Sequence, residues 1–505
     1  MQGLAASTID GPLLSAIENA GLLGITSKQL ASTTGRPVVE VEATLRRLSQ
    51  AQRVLRVGKG LWILPRYKGQ PGEESDVRGP SWYLDRFLKG FELPGPDPFQ
   101  GEIQFNPNEE LPVHRWWPYV QGFSAEFVRR TCEAFDIGPG KVVLDPFAGS
   151  GTVSVEARLR GAQTIASELM PVAAMVIRAK HLWTAAPSRV RSAARKLVVR
   201  ARRGTPAPPP FLRETSRQFA PGALDSLLRM RAELERLPAG EVRSLLELAF
   251  AGVLVASSRL KRSPCLGYAR KPEVGAETPY QRFLGMAELI ATDLTWLKPQ
   301  RGRFGPPAQV LEENSKQLDL PEASVDLAIT SPPYVNGMDY VMNYKLEMAW
   351  LGQVRSYEDL ARLKSDMVAC DNVSPSVISA HEAGRWVKED GWLSHALGQI
   401  EENIASKTVY RRRDMAEIVA KYFDDLVPVI VAVHRALRPG GKFVVVNGDS
   451  WMAGSYVPGD LLFGRLAVRA GFEVEKFEVA RARRSGQRRD FLLRESVLTL
   501  RKGAS

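Results

Sequence analysis

The stretch KVVLDPFAGSGT, residues 141–152, limits the fold more than any other part of the chain. A short apolar run ends in an acid and a loop with two glycines, and VSVEARLRGA then continues with helical spacing. The same alternation recurs downstream. AQTIASEL reads as a second strand, PVAAMVIRAKHLW as a helix and AQVLEENS as a third strand. SVDLAITSPPY is the fourth strand, KYFDDLVPVIVAVHRALRPGG a long helix and KFVVVNGD the fifth strand. Strands alternating with helices of this length predict an α/β fold with a doubly wound, mostly parallel sheet. FEVEKFEVARARRSG and RRDFLLRESVLTLRK then predict an antiparallel hairpin that closes the sheet at its edge.

At 505 residues the chain exceeds what one core usually organises. It has no run of 18 uncharged apolar residues, so no membrane partner is expected. The first 21 residues lack a basic leader and carry Asp10 and Glu18, unlike a secretory signal. Cys132, Cys265 and Cys370 are isolated and the five histidines scattered, so neither disulfides nor a metal site is expected. That usage suits a reducing, cytoplasmic compartment. The net charge of +12 fits a polyanionic partner, with basic clusters at 189–203, 259–262, 411–413 and 481–489.

Residues 1–67 read as a small helical unit that ends in a hairpin. Leu13, Leu14 and Ile17 share one helix face, Thr26 or Ser27 caps a second helix, and Val41, Leu45 and Leu48 mark a third. RVLRVGKGLWIL follows as two strands around a Gly58–Gly60 turn. Residues 68–105 are Pro/Gly-rich and read as a linker around one aromatic helix, SWYLDRFLKGF. The sheet core is expected at 106–183, 305–352 and 415–505, interrupted by a mainly helical insert at 184–304 and another at 353–414.

The chemistry gathers at strand ends. In DPFAGSGT, Gly149 and Gly151 permit a tight turn and close backbone approach at a helix N-terminus, which suits negative ligand groups. The loop lacks the lysine of a phosphate-binding GxxxxGK[ST] loop and the spacing of GxGxxG. Glu168 ends the second strand, where a carboxylate can accept from ribose hydroxyls. Asn314, after the third strand, can read an adenine edge through its amide. The fourth strand breaks into Ser331-Pro332-Pro333-Tyr334, a hydroxyl, two rigid rings and an aromatic face.

DPFAGSGT, SELMP and TSPPY, in this order at strand ends, resemble the S-adenosylmethionine-dependent amino-methyltransferases of DNA. HRWWPYVQGFSAEFVRRTCEAF resembles that family's motif against the methionine end of the cofactor. The resemblance spans about 106–183, 306–352 and the last strands from about 415. It implies a Rossmann-like methyltransferase sheet, mostly parallel with an antiparallel last strand. It also implies S-adenosyl-L-methionine as cofactor, held by Phe123, Ser124, Phe127, Asp145, Pro146, Phe147, Gly149, Ser150, Gly151, Thr152, Glu168 and Asn314. The catalytic residues would be Ser331, Pro332, Pro333 and Tyr334. The N-terminal unit resembles a winged helix, whose third helix, here bearing Arg46 and Arg47, would enter the major groove of double-stranded DNA.

In this family a catalytic tetrapeptide that begins with Ser goes mostly with N4-cytosine methylation, as in restriction–modification. Many cytosine enzymes, however, place that motif before the glycine loop, the reverse of the order here. N6-adenine methylation, RNA methylation and a non-catalytic DNA-binding regulator stay open as alternatives. A base's exocyclic amine is a weak nucleophile, because its lone pair is delocalised into the ring. Acceptors at Ser331 Oγ and the Pro332 carbonyl would localise it, and Tyr334 would stack on an extruded base. Cys265, in RLKRSPCLGYARK, mimics the Pro-Cys nucleophile of ring-carbon enzymes, but it lies in the helical insert without the expected partners. That stretch suits nucleic-acid contact better. Target recognition has three candidate locations: the N-terminal unit and the two inserts. The second insert carries Trp386, Trp392 and the run Tyr410-Arg411-Arg412-Arg413.

Overall fold

The computed structural model describes residues 11–20, 25–50, 54–57, 61–63, 80–95, 97–99, 103–119, 122–263, 265–406, 412–484 and 492–504. The Gly58–Gly60 turn, Tyr410, Arg411, Arg488 and Arg489 lie outside them.

Among the described residues, eight strands form the main sheet: β1 (Asp97–Pro98), β2 (Val142–Asp145), β3 (Gln163–Ser167), β4 (Gln309–Leu311), β5 (Val325–Thr330), β6 (Leu437–Gly448), β7 (Phe472–Arg484) and β8 (Leu492–Lys502). Their order is β1-β7-β8-β6-β5-β2-β3-β4. Pairings from β6 through β5, β2 and β3 to β4 are parallel, whereas β8 runs antiparallel to both β6 and β7. The expected α/β sheet with its antiparallel last strand is therefore present. The β7–β8 hairpin is not the edge: Asp97 and Pro98, in the stretch read as a linker, pair in parallel with β7. A two-residue strand leaves no periodic pattern to read. The same stretch also contributes the helix Pro80–Gly90, which buries Tyr83 and Phe87 in the core.

Among the described residues, six helices frame the sheet: α1 (Ala125–Ala134), α2 (Thr152–Leu159), α3 (Pro171–Lys180), α4 (Tyr340–Trp350), α5 (Met415–Ala436) and α6 (Gly459–Arg469). The chain leaves β2 toward β3 and β4, then crosses back to β5 on the other side of β2. The crevice beyond the carboxyl ends of β2 and β5 is the switch point where open α/β sheets bind ligands. Thr330 Oγ1 donates to Asp145 Oδ1 (2.8 Å) across it, tying the two strand ends together.

The segment 184–304 packs its helices Pro187–Ala201, Pro221–Glu235, Glu241–Leu254 and Glu277–Leu297 into one core with α3 and α4, sealed by buried Trp183 and Trp350. Buried Leu and Phe side chains in such a core contribute about 1.5–3 kcal/mol each. Asp293 anchors the unit to the stretch before α1. Its carboxylate accepts from Val113 N (2.9 Å), Trp116 Nε1 (2.8 Å) and Arg115 Nη2 (2.5 Å). The segment also holds a hairpin, Leu260–Arg262 with Leu266–Tyr268.

At the N-terminus, helices Gly11–Ala20, Ser27–Thr34 and Val38–Gln50 accompany a three-stranded antiparallel sheet ordered Ile25–Thr26, Leu61–Ile63, Leu55–Val57. Thr26 is the N-cap, in a capping box with Gln29, and Leu13, Ile17, Val41, Leu45 and Leu48 form the core. Among the described residues, no helix is long and apolar enough to cross a membrane.

Candidate active site

The first cavity opens where β2, β3 and β5 end. After Asp145 the chain must turn at once into α2, and Gly149 (φ +52°) and Gly151 (φ +80°) take the left-handed conformations this requires. Gly149 is also fixed by space, because a Cβ there would lie 2.7 Å from Tyr119 Cε1. Glu168 holds the loop from β3: its carboxylate accepts from Gly149 N (2.8 Å) and Met170 N (2.7 Å). Asp145 accepts from Thr330 and from Phe147 N (3.1 Å). Burial raises both carboxyls to about 7, against the hydrogen bonds that pull them down. Lys180, at the end of α3, is fully buried and donates from Nζ to the Ser150 carbonyl (3.0 Å). Burial lowers it to about 7.

A second, more polar cavity adjoins the first. Ser331, the first residue past β5, lies in the wall they share, with Tyr119, Phe123 and Tyr340. Tyr119 stacks on Tyr344 (centroids 5.8 Å apart, 8° between planes) and on Tyr340 (6.3 Å, 12°). The prolines carry the chain away from the sheet, and Gly337 N then donates to the Tyr334 carbonyl (2.7 Å) in a tight turn. A Cβ at Gly337 would strike that oxygen at 2.6 Å. The Tyr334 hydroxyl donates to Glu495 Oε1 on β8 (2.5 Å), and Arg481 Nε on β7 donates to Glu495 Oε2. The ring is thus fixed at the cavity wall. Arg262, from the hairpin of the inserted segment, lines the same cavity.

Phe123, Asp145, Phe147, Gly149, Ser150, Thr152, Glu168 and Asn314 line the first cavity, as do Ser331 and Pro333. Pro332 and Tyr334 line the second. Four residues of the expected set line neither. Ser124 caps α1, accepting from Phe127 N (3.0 Å), and Phe127 packs in the core beside Phe123. The Pro146 carbonyl accepts from Ser315 Oγ, and Gly151 is the left-handed residue that opens α2. Cys265 is exposed at the hairpin and lines neither cavity. Tyr119 lies inside the HRWWPYVQGF motif but was not singled out, Arg481 was visible only within a basic cluster, and the motifs gave no indication of Tyr340, Glu495 or the Met367 and Val368 wall of the first cavity. Arg262 was visible only as part of a basic cluster. Trp392 packs with Trp82 and Tyr83, and Arg465 lies over its ring, so its faces serve the core. Among the described residues, no group of His, Cys, Asp and Glu forms a metal site.

No protein-family model matches the chain. The type II methyltransferase M.BsoBI of Geobacillus stearothermophilus is 22% identical over 440 residues, 76% of this chain and 83% of the relative. The type II methyltransferase M.AvaI of Nostoc sp. is 25% identical over 417 residues, 75% of this chain and 82% of the relative. Among solved structures, a TehB-like SAM-dependent methyltransferase from Corynebacterium glutamicum is 10% identical with a TM-score of 0.24, covering 74% of this chain and 86% of that one.

Proposed function

We propose that this chain is an S-adenosyl-L-methionine-dependent DNA methyltransferase acting on the exocyclic N4 amine of a cytosine extruded from double-stranded DNA. The observation that carries this reading is the place of Ser331, in the wall between a cavity suited to a nucleoside cofactor and a polar cavity suited to a base. Two type II methyltransferases that align with three quarters of the chain support the activity class.

The first cavity fits the cofactor by the chemistry of its donors and acceptors. The buried Glu168 and Asp145 carboxylates suit ribose hydroxyls and a cationic ligand, while Asn314 and the apolar wall of Phe147 and Val368 suit a purine. When bound, the cofactor supplies an electrophilic sulfonium methyl group. Ser331 Oγ and the Pro332 carbonyl accept the amine's N–H groups and make its lone pair available for attack. Tyr334 offers its ring to the base, and the Glu495 and Arg481 contacts hold that ring in place. Helix Val38–Gln50, which exposes Arg46 and Arg47, serves as the groove helix of a winged-helix domain.

Nucleosides from DNA incubated with the protein and methyl-labelled cofactor, separated by mass spectrometry, test the reading. Label in N4-methylcytosine is expected. Label only in N6-methyladenine, only in RNA, or nowhere would overturn it.

A further inference from the structure

The hairpin Leu260–Arg262/Leu266–Tyr268 stands about 65 residues before the catalytic loop in sequence, yet it delivers one side chain to the base cavity. Lys271 pins its base, donating from Nζ to the carbonyls of Val255 (3.2 Å) and Leu260. At the tip of the first strand, Arg262 lies over the Tyr344 ring, 4.4 Å from its centroid. Its Nη2 donates to Glu347 Oε1 (2.7 Å) and to the Asn343 carbonyl (2.9 Å), and its Nε is 3.3 Å from that same carbonyl. Glu347 is fully buried, so the ion pair is fixed rather than a mobile surface contact. One edge of the guanidinium is thereby occupied. Among the described residues Nη1 has no partner, and the side chain is only 15% exposed.

The geometry points to Arg262 as the residue that recognises the target cytosine, donating to its N3 and O2. This inference rests on the N4-cytosine reading above and deepens it. Cytosine's Watson–Crick edge carries a donor followed by two acceptors: the N4 amine, then N3, then O2. Ser331 Oγ and the Pro332 carbonyl accept hydrogen bonds from the amine's N–H groups, which leaves both acceptors to be met by a donor. Arginine has no acceptor, and with Nε and Nη2 engaged its remaining Nη1–H donates to N3 and is shared with the adjacent O2 in a three-centre bond. Adenine offers one acceptor beside its amine, N1, and then a C–H, so the same Nη1–H meets one acceptor where cytosine gives two, and adenine is disfavoured. A phosphate contact explains the arrangement less well. Lys261 and Arg270 in the same stretch are exposed to solvent, whereas Arg262 is tied inward between Tyr344 and Glu347.

The test is a chemical double-mutant cycle with the full chain, on a duplex containing the sequence at which the wild-type protein methylates plasmid DNA. The target is cytosine or 3-deazacytosine, which lacks the N3 acceptor, and the variants are Arg262→Lys and Arg262→Ala. Lysine keeps a cation against Glu347, so the hairpin stays docked; calorimetry with the cofactor checks that the first cavity is intact. On cytosine, Arg262→Lys is expected to lower kcat/KM roughly 10- to 100-fold, the scale of a lost base-edge contact. Wild type is expected to lose a similar factor on 3-deazacytosine, and the variants less than about threefold beyond that, because the interaction is already gone. Additive losses, or an Arg262→Lys enzyme as active as wild type, would overturn the assignment and leave the N4-cytosine reading standing. If wild type forms no N4-methylcytosine at all, the parent reading falls and this one with it.

Discussion

Asp145 and Glu168 are held in ways that pull in opposite directions. Backbone and Thr330 donors favour their charged forms, but burial outweighs those donors and lifts both to about 7. A folded-state value above the unfolded one means the native state binds protons more tightly. Their contribution therefore favours the ligand-free protein below about pH 4.5 and is lost as pH rises toward 7. A cationic ligand with ribose hydroxyls favours the ionised forms, so its binding must expel protons below pH 7. Cofactor affinity by calorimetry is expected to rise between pH 6 and pH 7 and to level off above, with proton release at the lower pH. Glu168→Gln should weaken binding by about 1.5–3 kcal/mol at pH 8 and flatten that slope. A wild-type affinity that does not change between pH 6 and 8 would mean neither carboxylate meets the ligand. Ser331 calls for a different measurement. Its hydroxyl matters when the amine is being polarised, so Ser331→Ala should lower kcat roughly 10²–10³-fold while cofactor and DNA binding stay near wild type. Single-turnover rates alongside calorimetry separate the two, and full activity would make the loop purely structural.

The loop 331–337 acts as an element because both of its ends are fixed. Thr330 is tied to Asp145 at one end, and the Gly337 turn closes the other. Between them Tyr334 is held by β8 through Glu495. Tyr334→Phe removes that hydrogen bond but keeps the ring, which should cost about 0.5–1.5 kcal/mol and leave substantial activity. Tyr334→Ala removes the stacking face and should weaken capture of the extruded base by about 1–3 kcal/mol, read with a fluorescent base analogue at the target. Equal inactivity of the two variants would give the phenol a chemical role instead. These loops were legible in the sequence because glycine and proline interrupt apolar strands, leaving local signs at positions 145–152 and 331–334. Residues that reach the cavities through long-range packing leave no such sign. Glu495 faces Tyr334 only through the pairing of β8 with β6, and Arg262 arrives on a hairpin that β-propensity over three residues cannot announce. Ser124 and Phe127 show the converse. Their motif was readable, but in the structure Ser124 caps a helix and Phe127 packs in the core, roles that the same residue types also fill without any ligand.

At the scale of the whole molecule, DNA affinity should come from more than one unit, as the excess of basic residues implies. Removing residues 1–67 is expected to weaken DNA binding and reduce its salt dependence while cofactor affinity stays unchanged. Fluorescence anisotropy across a salt series would check this, and an unchanged slope would assign the N-terminal unit to some other contact. The segment 184–304 poses a different question, since it separates β3 from β4, which are neighbours in the sheet. Lengthening that connection about sevenfold raises the entropy cost of closing it by only about 1.7 kcal/mol, because the cost grows with the logarithm of length. Tethering alone therefore says little about where so long an excursion settles. Its seat is chosen where Asp293 meets donors from three residues, Val113, Arg115 and Trp116, a clasp independent of the covalent path. The chain can thus leave the sheet for more than a hundred residues and still return one arginine to the wall of the second cavity.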